Sequence, residues 1–527
     1  MLATTLLSLA LLLTLQGPPR DQQPIPGQTP AIPAQATPSP LASPTGSPTP
    51  QRSPEQPRPE EPPVITHHEI RAGGKTLRYT ATVGMMPIKN RDGETEARMF
   101  FMAYTLDNAT SRSQRPLTFS FNGGPGSASV WLHLGAIGPK RVRMNPDGTM
   151  PAPPYELIDN EYTWLTQSDL VFIDPVGTGY SRPVRPELGQ KFFGLTGDIE
   201  SVGEFIRLYL TRYERWTAPL FLAGESYGTT RASALSGYLI GRGIAFNGIV
   251  LISTIMNFET TDFAAGNDLP YVMFLPSYAA TAWYHKKLPP DLQSRSVQQI
   301  VSEVEQWAAN DFTLALGKGD RLTGQERQDV IGKLARYTGL SPLFVDNANL
   351  RVSLSLFRKE LLRSERRSIG RLDARFKGFD SNFATDSPDF DASEAAIRPP
   401  YTSTFNNYVR SELGYKTDFE YYILGGGITS PWNWNTNNGY VDTSVALRTA
   451  LARNPYLKIF VAMGYYDMAT PYFAVDYTLH HISLDPVLLR NFSTGYYEAG
   501  HMMYIDEKSL GRLRADVEKF IQDAQRR

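Results

Sequence analysis

The 527-residue chain contains no cysteine. Disulfides, thiolate metal sites, a cysteine nucleophile and a lipid anchor on a modified cysteine are therefore all excluded. An excess of either charge is missing too: 52 Lys and Arg stand against 53 Asp and Glu, for a formal net charge of −1. No basic field points to nucleic acid or to an anionic membrane surface. Large apolar side chains are scarce over residues 17–63, where Pro, Gln, Ser and Thr dominate. Such a stretch cannot build a core and reads as a disordered, partly extended tether. Before it, residues 2–15 form a continuous Leu/Ala/Thr run with the length of a secretory h-region, short for a membrane span. Residues 1–16 thus read as an export signal, to the periplasm or the exterior. An uncleaved N-terminal anchor is the alternative, since no Lys or Arg precedes the run and no clear A-x-A site follows.

At 527 residues the chain is long enough for one large domain with an insertion, or for two domains, and its aromatic content of 11% suits a packed core with an apolar cleft. Its central feature is Gly224-Glu225-Ser226-Tyr227-Gly228, preceded by the apolar run Pro219-Leu220-Phe221-Leu222-Ala223 and followed by small residues and Leu235, Tyr238 and Leu239. That pattern reads as strand, sharp turn and helix, the G-x-S-x-G nucleophile elbow, although a tight turn with a buried hydroxyl fits the pentapeptide equally well. Upstream, residues 69–81 and 97–106 predict strands, the first broken at Ala72-Gly73-Gly74, and 116–121 a third. The third runs into Asn122-Gly123-Gly124-Pro125-Gly126-Ser127, placed where a glycine N–H can approach a reacting carbonyl. Residues 170–174 and 246–252 predict further strands, and 198–213 a helix covering one sheet face. The turn Pro175-Val176-Gly177-Thr178-Gly179-Tyr180-Ser181 lacks the Gly-Lys-Ser/Thr of a phosphate loop and reads as structural or cleft-lining.

This alternation predicts an α/β fold with a mainly parallel central sheet. It fails over residues 258–417, which carry helical periodicity, as at 301–307 and 350–362. That stretch is expected to be an inserted helical cap, walling the cleft between a first core part (64–257) and a second (418–527). Strands are expected again at 457–463 and 489–492, with a closing amphipathic helix at 510–521 that puts Leu513, Val517, Phe520 and Ile521 on one face.

A serine nucleophile needs a histidine base held by a carboxylate. Of seven histidines, His67 and His68 border the tether, His133 lies in the helix expected after the Gly-rich loop, His285 in the cap, and His480 and His481 on a helix. His501, in Glu498-Ala499-Gly500-His501-Met502, follows the last expected strand, and Asp467 follows the one before. The order Ser226, Asp467, His501 is that of an α/β-hydrolase.

Together with Val176-Gly177-Thr178-Gly179-Tyr180-Ser181 and Gly464-Tyr465-Tyr466-Asp467, these motifs resemble the serine carboxypeptidase family over most of the chain after the tether. The resemblance implies a peptidase that releases single residues from peptide C-termini, often at acidic pH, with no cofactor or metal and with a peptide as its partner. By position it implies Ser226 as nucleophile, His501 as base and Asp467 as its orienter. It implies the N–H groups of Gly124 and Tyr227 as oxyanion hole, and Asn122 and Glu225 as holders of the terminal carboxylate. One family feature is missing: the second glutamate expected two residues before Gly138-Pro139 is Ala136. Without a carboxyl neighbour, Glu225 is expected to stay protonated only at lower pH. An esterase or acyltransferase on the same triad, and a non-catalytic surface binding protein, remain open.

Overall fold

The computed structural model describes residues 60–107, 111 and 114–526. The expected signal and nearly all of the expected tether lie outside these residues. Nine strands form the main sheet: β1 (Val64–Ala72), β2 (Lys75–Lys89), β3 (Thr95–Leu106), β4 (Leu117–Phe121), β5 (Asp169–Ile173), β6 (Leu220–Ser226), β7 (Gly248–Thr254), β8 (Lys458–Gly464) and β9 (Phe492–Tyr497). A two-residue strand, Arg182–Pro183, also pairs with β3. Their spatial order is β1-β2-β3-β5-β4-β6-β7-β8-β9. From β5 to β9 every pairing is parallel, whereas β1 to β3 form an antiparallel meander joined to β5. The β1–β2 turn is Gly73-Gly74, both at positive φ, as a two-residue hairpin requires.

The apolar runs of the central strands follow from burial on both faces. Alternate residues of β6 (Leu220 and Leu222 against Phe221 and Ala223), β7 (Ile249 and Leu251 against Val250 and Ile252) and β8 (Ile459 and Val461 against Phe460 and Ala462) enter two separate cores. The first core is closed by helix α1 (Leu195–Arg212), through Val202, Phe205, Ile206 and Tyr209, and by α2 (Tyr227–Ile240). The second is closed by α3 (Ala392–Ser411), through Ile397, Tyr401, Phe405 and Tyr408, and by α4 (Glu507–Gln525), through Leu513, Val517, Phe520 and Ile521. The amphipathic faces expected for 198–213 and 510–521 are thus the buried ones.

Two expectations need revision. Residues 486–489 form a helical turn instead of starting a strand, because Asp485 caps it by accepting from the Val487 N–H (2.8 Å) and Pro486 opens it; β9 begins only at Phe492. The stretch expected as a cap also divides. Its helices at Leu269–Tyr284, Val297–Trp307, Gly324–Thr338 and Leu354–Glu360 pack on the first core, whereas α3 packs on the second as a layer of the sheet sandwich.

Candidate active site

Asn122, Ser226, Asp467 and His501 follow or end β4, β6, β8 and β9, all at the carboxyl edge of the parallel sheet, where α/β proteins bind ligands. Ser226 sits at φ 59°, ψ −132°, a conformation that costs a non-glycine residue roughly 1–3 kcal/mol. The strain comes from turning directly out of β6 into α2. Close backbone packing holds the turn: a Cβ on Gly228 would lie 2.8 Å from the Phe121 carbonyl oxygen, and one on Gly123 would lie 2.5 Å from the Tyr227 nitrogen. The loop after β4 and the elbow therefore interlock main chain to main chain, with Gly124 next in line at φ 102°.

Asp467 is fully buried and receives four hydrogen bonds. Its Oδ1 accepts from the N–H groups of Ala469 (2.7 Å) and Thr470 (2.9 Å), and its Oδ2 from Thr470 Oγ1 and His501 Nδ1, both at 2.7 Å. His501 is 4% exposed. Burial works against its charged form, but the charge and hydrogen bond of Asp467, helped by Glu225, hold its pKa above the ordinary histidine value.

Both loops are clamped by residues 371–375, which belong to the inserted stretch. The Met468 N–H donates to the Arg371 carbonyl (3.0 Å), and the Ala374 N–H to the Tyr466 carbonyl (3.0 Å). The His501 N–H donates to the Leu372 carbonyl (2.6 Å), and the Gly500 N–H to Asp373 Oδ2 (3.1 Å). Arg375 ties the same segment to Asp373 (2.7 Å), Asp506 (3.4 Å) and the Glu498 carbonyl (3.1 Å). Position 500 must be glycine here, since a Cβ would lie 2.5 Å from Asp373 Cβ. From the other side, Ser253 Oγ donates to the His501 carbonyl (2.5 Å). None of this clamp is legible in the sequence, where Arg371-Leu372-Asp373-Ala374-Arg375 has the charge pattern of a solvated loop.

Beside the elbow, Asn122 Nδ2 donates to Glu225 Oε1 (2.9 Å) while Asn122 Oδ1 accepts from the Leu132 N–H (3.0 Å). Glu225 is 4% exposed, and burial pushes its pKa up to about 7, against the opposing pull of His501, Tyr504 and Asn122. This corrects the expectation of protonation only at lower pH: desolvation raises the pKa without a second carboxyl. Under the loop, buried Arg231 pairs with Asp198 (2.8 Å) and donates to the Asn122 carbonyl (2.7 Å), and the Tyr227 hydroxyl donates to Asp198 (3.0 Å). The only sequence signal for this support is an arginine one helical turn after Tyr227 in a helix of small and apolar residues.

Other histidines have structural partners: His133 meets the Tyr104 hydroxyl (2.7 Å), His285 the Ala374 carbonyl (2.7 Å), and His480 and His481 carbonyls of their own helix. Gly179 of the second Gly-rich turn exchanges backbone hydrogen bonds with Tyr422 (2.9 and 3.0 Å), a structural role. Among the described residues, no group of three or more His, Asp or Glu side chains could hold a metal ion.

Sheet, elbow and insertion define an α/β-hydrolase. Within that class the chain belongs to the serine carboxypeptidase family, whose model matches residues 77–500. It is similar to the pheromone-processing carboxypeptidase KEX1 of Saccharomyces cerevisiae, with 33% identity over 158 residues that cover 27% of this chain and 20% of that protein. It is also similar to serine carboxypeptidase-like 11 of Arabidopsis thaliana, with 25% identity over 180 residues, 32% of this chain and 40% of the relative. The matched region thus spans well under two thirds of either relative. The crystal structure of a KEX1 prohormone-processing carboxypeptidase from Saccharomyces cerevisiae shares the fold, at a TM-score of 0.52 and 18% identity over 84% of this chain and 91% of that one.

Proposed function

We propose that the protein is an exported serine carboxypeptidase working through an acyl-enzyme. In this reading Ser226 Oγ attacks the carbonyl carbon of the last peptide bond while His501 Nε2 takes its proton. Asp467 accepts from His501 Nδ1 and stabilises the imidazolium, and the N–H groups of Gly124 and Tyr227 donate to the oxyanion. The imidazolium returns the proton to the departing amine, and water, deprotonated by His501, then releases the acyl group from Ser226. Asn122 and Glu225 hold the substrate's C-terminal carboxylate. Export rests on the apolar residues 2–15; among the described residues no helix is long and apolar enough to cross a membrane.

The observation that carries peptidase over generic hydrolase is the buried Asn122–Glu225 pair directly before Ser226. With a pKa of about 7, Glu225 is a neutral acid below that pH and can donate to a carboxylate. Its protonation is coupled to that of His501, because each group shifts the other. The productive form has neutral His501 and protonated Glu225, one proton shared by the pair. Turnover of free-acid substrates is therefore bell-shaped in pH, whereas substrates without a C-terminal carboxylate need only neutral His501.

Ala136, in place of a second carboxyl, favours one alternative, an esterase or acyltransferase on the same triad. Assaying the purified protein on blocked dipeptides with free or amidated C-termini separates the two. A preference for free acids that fades as pH rises through about 7 supports the carboxypeptidase. Equal rates on both at every pH, with strong ester hydrolysis, would overturn it.

A further inference from the structure

The turn that carries Ala136, where the second carboxyl is missing, is crowded at the neighbouring Gly135. Residues 133–137 form one buried wide helical turn, and a Cβ on Gly135 would lie 2.4 Å from Tyr504 Cε2 and 2.7 Å from the Tyr401 hydroxyl. The ring of Tyr504 thus fills the ground in front of the turn. Tyr504 is 2% exposed, and its hydroxyl makes no hydrogen bond of ordinary length and angle, although it lies close enough to Glu225 and Asn122 to act on both. The same holds for Glu225 Oε2, the oxygen that Asn122 does not bind. Buried polar atoms without an ordinary hydrogen bond are rare and call for an explanation. Here two of them, a hydroxyl and a carboxyl oxygen, belong to neighbouring side chains that act on each other electrostatically.

We infer that Tyr504 is a positioning residue for carboxylate recognition, pairing through its hydroxyl with Glu225 Oε2 in place of the carboxyl missing at Ala136. The substitution changes the chemistry. Two carboxyls share a proton and titrate together. A phenol whose pKa burial drives far upward keeps its proton throughout the working range. Tyr504 therefore leaves Glu225 as the one carboxyl that decides when a substrate carboxylate is accepted, and its hydrogen bond sets the midpoint. The other groups facing Glu225 are His501 and Asn122, which favour its ionised form, and Asp467, which opposes it; Tyr401 also lies within electrostatic reach. Tyr504 favours ionisation, so it places the midpoint lower than burial alone would.

This inference rests on the carboxypeptidase reading, but its test need not. The carbonyl stretch of protonated Glu225, isolated by infrared difference against Glu225→Gln, is titrated in the full-length protein, in Tyr504→Phe and in Tyr401→Phe. Tyr504→Phe keeps the ring that packs against the turn, and is expected to raise the midpoint by about one pH unit, the size of a hydrogen bond to a charged group. Tyr401→Phe is expected to leave it in place. An unchanged midpoint in Tyr504→Phe, or an equal rise in both variants, overturns the inference. In parallel, the free-acid preference of Tyr504→Phe should persist to correspondingly higher pH while Ser226 is still labelled by a fluorophosphonate. If the unaltered protein shows no such preference at any pH, the functional reading falls, and the infrared midpoints still decide the role of Tyr504.

Discussion

Two parts of the inserted stretch lie close together and are held in different ways. The helical lobe from Leu269–Tyr284 to Leu354–Glu360 is built on apolar side chains such as Phe274, Tyr278, Ile300, Val304 and Phe357. It reaches the loops of Asp467 and His501 through neighbours: His285 donates to the Ala374 carbonyl, and the Tyr284 ring lies 5.5 Å from that of Tyr466. Residues 371–375, by contrast, bind the loops of Asp467 and His501 directly, main chain to main chain. Apolar packing tolerates changes of shape and sets which groups fit. Backbone hydrogen bonds fix atomic positions, which proton transfer requires. The lobe thus borders the loops of Asp467 and His501 at second hand, whereas residues 371–375 are part of what holds them.

The outer bound of this comparison is the nucleophile. Ser226→Ala is expected to abolish fluorophosphonate labelling and to lower kcat by about 10⁴-fold or more. Equal labelling of the variant and the unaltered protein would show that the nucleophile lies elsewhere.

Next comes the clamp. Asp373→Ala removes the acceptor of the Gly500 N–H and a partner of Arg375. The His501 loop is then free to shift, and kcat should fall on the order of 100-fold with KM little changed, as for a misplacement of about 1 Å. A folded variant with kcat within twofold of the unaltered protein would return the clamp to a purely structural role.

The pH response sharpens the comparison, because Glu225 belongs to the elbow and not to the insertion. In the proposed reading, raising pH through about 7 ionises Glu225 and so removes a donor to the substrate carboxylate. The free-acid over amide preference should decline about tenfold or more, the value of a hydrogen bond to a charged group. Glu225→Gln keeps a donor that does not titrate, so its preference should be flat in pH. A midpoint that persists in Glu225→Gln would assign the titration to another group.

Smallest is the effect of the lobe. Tyr284→Ala trims a side chain 42% exposed beside the Tyr466 ring and should change relative rates among substrates by about threefold to tenfold, with labelling of Ser226 unaltered. Loss of all activities in equal proportion, without unfolding, would mean that lobe and clamp act as one unit.

Sequence alone was enough to predict a mainly parallel sheet, mark the elbow and place Ser226, Asp467 and His501 at strand ends. Those features are local: a doubly buried strand must be apolar throughout, and a strand-to-helix turn around a strained serine needs glycine beside it. It was enough also to see that a carboxyl is missing at Ala136. The tertiary structure alone decided what packs against the turn that carries Ala136 and how the His501 loop is held. Tyr504 meets Gly135 across 369 positions of sequence, and residues 371–375 reach Gly500 and His501 across more than a hundred. Contacts at such separations leave no periodicity to read. Burial decided the rest, since a glutamate in sequence is a surface acid until the fold removes its water, and only then does Glu225 rise to about 7.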